Sequence, residues 1–203
     1  PLPASLTCEL RSYQQEGFVW LSRLAACGLG ACLADDMGLG KTIQILALLT
    51  ARADDGPALV IAPTSVSRNW ADEAARCAPA LRVSLLAEVQ ERAACVREAQ
   101  PFDVIVCSYG LLTFAEDLLT SRQWGAVILD EAQAVKNRLA KRTRIVKRIN
   151  ARLRAVATGT PVENNLGELW SLFDFLNLGL LGTHGRFEQR FCNADGTVSP
   201  LLK

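Results

Sequence analysis

The stretch Leu33-Ala34-Asp35-Asp36-Met37-Gly38-Leu39-Gly40-Lys41-Thr42 decides how this chain folds. A short apolar run, Ala31–Ala34, leads into it, and an apolar helical pattern from Ile43 to Leu49 follows. Strand, glycine-bearing loop and helix in that order make the setting of a phosphate-binding loop. Glycine lets backbone N–H groups turn toward an anion, and the helix start adds the positive end of its dipole. Lys41 then reaches the outer phosphates, and the Thr42 hydroxyl is placed to ligate magnesium. The strict pattern Gly-x-x-x-x-Gly-Lys-Thr fails at its first position, which is Asp35. The loop therefore needs support from elsewhere in the chain.

Two later segments supply it. Ala126-Val127-Ile128-Leu129-Asp130-Glu131-Ala132-Gln133 is an apolar strand ending in two carboxylates, one for a metal ion and one for an attacking water. Thr158-Gly159-Thr160-Pro161 closes another apolar run, Leu153–Ala157, and Leu10-Arg11-Ser12-Tyr13-Gln14-Gln15-Glu16-Gly17-Phe18 lies upstream of the loop. In this order the segments resemble the first motor lobe of superfamily-two helicase-like ATPases. The runs Asp36–Gln44 and Asn164–Leu172 are similar to the Swi/Snf-type branch, the double-stranded-DNA translocases. The resemblance covers roughly residues 6 to 191.

It implies a three-layer α/β fold, a RecA-like (P-loop NTPase) domain with a mostly parallel sheet. Residues 192–203 would be a loop tail, and the second lobe would lie outside this chain. It implies ATP and Mg2+ as cofactors. The partners it implies are the backbone of double-stranded DNA, a second RecA-like lobe of the same parent chain, and RNA polymerase or another DNA-bound protein. Lys41, Asp130 and Glu131 take the catalytic roles, with Thr42 and Asp130 at the metal. The nucleotide is held by Asp36, Met37, Gly38, Leu39, Gly40, Lys41 and Thr42. Gln14 reads the adenine edge with its amide, a donor and acceptor in one group, and Arg11 assists. A shift by one to Gln15 is the competing alignment. Gln133, Thr158, Gly159 and Thr160 resemble coupling elements, whose hydroxyls would bond Asp130 or Glu131. Ser65, Ser67, Arg68 and Asn69 in one loop, and Ser108 and Tyr109 in another, resemble contacts to the nucleic-acid backbone. Two other readings stay open: a nucleotide-binding scaffold that never turns over, and a strand-separating helicase.

Composition sets the bounds. A chain of 203 residues, half of them hydrophobic and 21% charged, fits one domain with a substantial core. No apolar stretch approaches the roughly 20 residues that span a bilayer, so no membrane partner is expected. A net charge of +1 leaves nucleic-acid binding to local patches. The seven cysteines show no CxxC spacing, which predicts neither a zinc site nor disulfides. Reduced, mostly buried thiols in an intracellular protein are expected, in a bacterial cytoplasm at the nucleoid or in a nucleus. His184 is the sole histidine, which argues against a histidine-based metal site.

Alternation of short apolar runs with helical patterns predicts strands at 31–34, 58–62, 83–86, 102–107, 126–129 and 153–157. Helices are expected at 13–26, 41–53, 66–77, 89–99, 138–149 and 166–176. Trp20, Trp70, Trp124 and Trp170 read as core residues. No acidic residue falls between Glu131 and Glu163, where nine lysines and arginines from Lys136 to Arg154 gather. Leu139, Thr143, Val146, Ile149 and Leu153 recur at helical spacing there, predicting a helix that packs one face and exposes a basic one. That face suits plain solvation, or a place near DNA or the second lobe.

Overall fold

Runs that are apolar on both sides build parallel sheets, because each strand is covered twice. The computed structural model describes residues 1–36, 38–135, 137–160 and 166–191. Its strands are β1 (Ala31–Leu33), β2 (Ala58–Ala62), β3 (Arg82–Leu85), β4 (Asp103–Ser108), β5 (Gln123–Asp130) and β6 (Asn150–Ala157). They form one six-stranded sheet in the order β1-β6-β5-β2-β4-β3, and every described pairing is parallel. The helices are α1 (Ser12–Ala26), α2 (Lys41–Ala51), α3 (Thr64–Cys77), α4 (Arg92–Arg97) and α5 (Tyr109–Leu112), then α6 (Glu116–Thr120), α7 (Lys141–Arg148), α8 (Leu166–Leu176) and α9 (His184–Phe191).

Strand alternation sends successive side chains to opposite faces. Val60, Val104, Ile128 and Ala155 meet α1, α2 and α3 through Leu21, Ile45 and Trp70. Leu59, Ile105, Val127 and Val156 meet α4 to α8 through Val96, Leu112, Leu119, Val146 and Phe175. The result is three layers, helix–sheet–helix, and it is the expected α/β architecture. Each fully buried Leu or Ile in these layers stabilises the fold by roughly 1.5–3 kcal/mol.

All six strands and six helices lie where the periodicity puts them, with ends shifted by a few residues. The four-residue α5 and five-residue α6 are too short to show a period. The run from Gly179 to Gly185 reads as a turn, yet α9 starts within it at His184. The basic helix starts three residues late, at Lys141. The Asn137 side chain accepts from the N–H of Leu139 at 2.9 Å, and Leu139 is exposed rather than packed. Trp124 is core as expected, but Trp20 is 44% exposed, because the α1 face it shares with Tyr13 and Gly17 borders an open groove.

One cysteine expectation is overturned: Cys8 and Cys77 form a disulfide. No spacing rule could show it, since the two lie 69 positions apart. They meet because the segment before α1 lies against the end of α3, where the Thr7 N–H donates to the Cys77 carbonyl at 2.9 Å. Cys107 is buried as expected and its thiol is pushed up to about 12 by burial, whereas Cys27 is exposed. Closing so long a loop is worth up to about 4 kcal/mol in the chain-entropy account. Urea titration with and without reductant should therefore show a loss of about 2–4 kcal/mol on reduction, and Cys8→Ser should remove the difference. An unchanged midpoint would mean the bond adds nothing.

Candidate nucleotide site

Parallel pairing aligns the carboxyl ends of neighbouring strands. Leu33 sits opposite Ala157, Ala157 opposite Asp130, and Leu129 opposite Ile61. The loops leaving β1, β2, β5 and β6 consequently open on one edge, the general location of ligand sites in such sheets.

The loop after β1 turns on two glycines, with φ of 83° at Gly38 and 75° at Gly40. A Cβ at Gly40 would come within 2.4 Å of the Gln14 Nε2, so this position suffers both left-handed backbone and crowding. Lys41 opens α2 and is nearly buried; its Nζ donates to the carbonyls of Asp35 and Asp36 at 2.9 and 3.0 Å. Carbonyl dipoles satisfy those protons without neutralising the charge, and an anion would do both. Asp35, which departs from the strict glycine pattern, accepts from the Gln44 Nε2 at 3.2 Å and so ties the loop to α2.

β5 ends in Asp130, whose side chain accepts from the Trp70 indole N–H at 2.8 Å and whose carbonyl accepts from the Tyr109 hydroxyl at 3.0 Å. Burial raises the Asp130 carboxyl above its usual range; the indole hydrogen bond and the Lys41 charge work the other way. Glu131 adopts a left-handed conformation, φ 50°, while its N–H donates to the Ala157 carbonyl at 2.9 Å. For a non-glycine residue this backbone costs of order 1 kcal/mol, and such strain collects at functional sites. The Gln133 Nε2 donates to Oε2 of Glu131 at 2.9 Å. Gly38, Gly40, Lys41 and Thr42 on one side, with Asp130 and Glu131 on the other, line a cavity of about 250 Å³. A cation, a hydroxyl and two carboxylates around so small a space suit a polyphosphate carrying a divalent ion.

Gln14 is buried over this loop. Its Oε1 accepts from the Arg11 N–H at 3.0 Å and its Nε2 donates to the Leu39 carbonyl at 3.1 Å and to the Tyr13 hydroxyl at 3.5 Å, which leaves one lone pair of the amide oxygen for a base. Gln15 instead donates to the Leu10 carbonyl, away from the loop. Arg11 and Asp36 are exposed, and Met37 lies outside the described residues. A wider groove, about 640 Å³, runs along α1 and β1 past Tyr13, Gly17, Trp20 and Cys32 and shares Leu39 with the loop.

The expected coupling residues lie at the end of β6. The Thr158 N–H donates to the Leu33 carbonyl at 3.1 Å, and its buried hydroxyl accepts from the Thr160 N–H at 3.2 Å. The described link from this segment to Glu131 is thus the Ala157 carbonyl, not a threonine hydroxyl. Gly159 sits between them, and Pro161 and residues 161–165, the start of the Asn164–Leu172 run, lie outside the described residues.

The expected nucleic-acid residues divide. Ser65 and Arg68 are exposed at the start of α3, and Arg68 pairs with Glu88 at 2.5 Å in an exposed bridge of little energetic weight. The Ser67 hydroxyl donates to the Pro63 carbonyl, and the Ser108 hydroxyl caps α5 at the Leu111 N–H. Asn69 lines the 250 Å³ cavity instead of an outer track. Tyr109 is corrected outright: it is buried, with its hydroxyl spent on Asp130. Lys147 and Arg148 pair with Asp174 and Glu116, while Arg138, Lys141, Arg142 and Arg144 stay exposed.

Sequence reading missed Glu73, one turn beyond Asn69 on α3, which joins the cavity wall with its carboxyl raised by burial first and by the Asp130 charge third, after opposition from Arg76. The spacing Asn69-Trp70-x-x-Glu73 on a helix entering beside the loop was the available signal. Raised carboxyls bind protons more tightly folded than unfolded. Their contribution to stability is present below the unfolded value of about 4 and is lost as pH rises through the higher folded value. These two carboxyls should therefore contribute less to the stability of the unliganded chain as pH rises above about 4. Asp130→Asn, which keeps an oxygen for Trp70, should diminish that loss and raise the thermal midpoint at neutral pH. A lower midpoint for Asp130→Asn would contradict the desolvation argument.

The SNF2-related domain family matches residues 13–201. The chain is 43% identical over 191 residues to YwqA of Bacillus subtilis, a protein named as an ATP-dependent helicase/translocase, covering 90% of this chain and 20% of YwqA. It is 37% identical over 206 residues to the TATA-binding protein-associated factor mot1 of Schizosaccharomyces pombe, covering 94% of this chain and 10% of mot1. The chain therefore spans only a tenth to a fifth of these relatives. Its fold superposes on the Sulfolobus solfataricus SWI2/SNF2 ATPase core, solved in complex with double-stranded DNA, with a TM-score of 0.83 and 37% identity over 93% of this chain and 40% of that one. Fold, motif order and sequence agree: this chain belongs to the SNF2-related domain family.

Proposed function

We propose that this chain is the ATP-binding lobe of a double-stranded-DNA translocase. Joined to a second RecA-like lobe, it binds Mg-ATP and hydrolyses it to drive movement along DNA and remodel protein–DNA complexes. The observation that carries this reading is the convergence of Lys41, Thr42, Asp130 and Glu131 on one cavity from two strands almost a hundred residues apart in sequence. The dsDNA complex of the archaeal relative and the translocase name of YwqA support the DNA half of it.

In this mechanism Lys41, held by two loop carbonyls, would turn its ammonium to the phosphate oxygens. Thr42 and Asp130 would hold the magnesium ion, which when bound would supply charge neutralisation on the phosphates. Glu131 orients and deprotonates the attacking water, and the hydrogen bond from Gln133 keeps its carboxylate in place. Gln14 keeps one face of its amide toward the base. Gln133 and the Thr158–Thr160 turn couple this site to DNA, whose backbone lies on the Ser65–Arg68 end of α3.

Lys41→Ala should weaken nucleotide binding about 10- to 100-fold, the worth of a charge-assisted bond of about 1.5–3 kcal/mol; unchanged affinity in a fluorescent-nucleotide titration would remove the loop from the site. In the two-lobed parent, Glu131→Gln should bind ATP normally and lose about a hundredfold or more in DNA-stimulated turnover. Equal turnover would favour the scaffold reading, and duplex unwinding by the wild type would favour a strand-separating helicase.

DNA binding should be indifferent to sequence and steep in salt. Arg68→Ala should flatten the salt slope by roughly one unit, the release expected for one phosphate. If instead only a Lys141→Ala/Arg144→Ala pair flattens it, the track runs over α7.

A further inference from the structure

Trp70 reads as a core tryptophan and is 1% exposed, yet its one polar atom does something a core residue need not do. The indole N–H, a donor with no acceptor capacity, ends on Oδ2 of Asp130 at 2.8 Å, from a helix sixty positions away in sequence. We propose that Trp70 is a positioning residue for the metal ligand, its indole holding Asp130 in the one orientation in which the carboxylate meets a divalent cation. The inference rests on the ATPase reading above and adds a residue to it.

Three observations carry it. Asp130 is the last residue of β5, so its backbone is fixed by the ladder and by Tyr109, whereas the orientation of its carboxylate depends on what it bonds. The indole is the described side-chain donor to that carboxylate, ending on Oδ2 beside a hydrogen bond from the Glu131 backbone. Trp70 also lines the same 250 Å³ cavity as Lys41 and Thr42, so its buried bond to Asp130 is made in the wall of the site. Carboxylates that ligate metals are held by such outer partners, whose loss typically costs 10- to 100-fold in metal affinity. Position along the chain adds a consequence. Trp70 follows Arg68 and Asn69 directly, so the helix start that is proposed to meet DNA and the indole that holds the metal ligand belong to one turn of α3.

The test uses the full-length parent protein and ADP, titrated with excess Mg2+ and again with chelator. Trp70→Phe keeps an aromatic ring and removes the N–H. Its chelator affinity should stay within about twofold of wild type, while the tightening conferred by Mg2+ should fall about tenfold. A merely structural role would lower both affinities together, and that result overturns the proposal, as does an undiminished Mg2+ effect. Lys41→Ala run beside it separates the two readings. If Lys41→Ala leaves ADP binding intact, the nucleotide reading fails; if it abolishes binding while Trp70→Phe behaves as wild type, this inference alone fails. Should Trp70→Phe not fold, a crystal structure of the wild-type parent with Mg2+ and a non-hydrolysable ATP analogue decides. The indole should remain on Oδ2 with the metal shell on the other oxygen, and an Asp130 turned away from Trp70 overturns the proposal.

Discussion

Parallel strand pairing is the constraint on which everything else in this molecule depends. A parallel ladder has no freedom to stagger neighbouring strands once both faces are packed, because a one-residue slip would exchange the two core layers. The register that buries Ile128 against one helical layer and Val127 against the other therefore also brings Leu33, Ala157 and Asp130 level. The phosphate loop leaves from the first of these, the Thr158 turn from the second, and Glu131 from the third. Three motifs far apart in sequence become one site because the hydrophobic core admits a single alignment.

The same alignment leaves costs at that edge. Asp130 and Glu73 are carboxyls whose charge burial opposes, Lys41 is an ammonium resting on carbonyls, and Glu131 holds a left-handed backbone. None of these would be chosen for stability. Such costs are common where activity needs a preorganised, unfavourable constellation.

Much of this was legible in the chain. Apolar runs of strand length located every strand of the sheet, and Gly38, Gly40 and Lys41 announced the loop because few other chemistries need that combination. What stayed hidden was long-range pairing. Nothing local tells that Cys8 meets Cys77, or that the Trp70 indole finds Asp130, since both contacts are set by where α3 lies on the sheet. Tyr109 was placed by resemblance at a nucleic-acid contact, and the resemblance does not show that the short α5 turns its ring inward. Trp20 erred in the opposite direction, because a tryptophan on an amphipathic helix reads as core even when its flank faces an open groove.

The measurement that bears most directly on the account is iron-catalysed backbone cleavage of the full-length parent by Fe2+–ATP with ascorbate, the cuts being located by mass spectrometry. Iron in place of magnesium cleaves only the chain lying next to it. A site gathered by strand register predicts cuts at two separated places, beside Thr42 and beside Asp130 and Glu131, both suppressed by excess Mg-ATP. Cuts confined to the groove along α1 and β1, or at only one of the two segments, would contradict it.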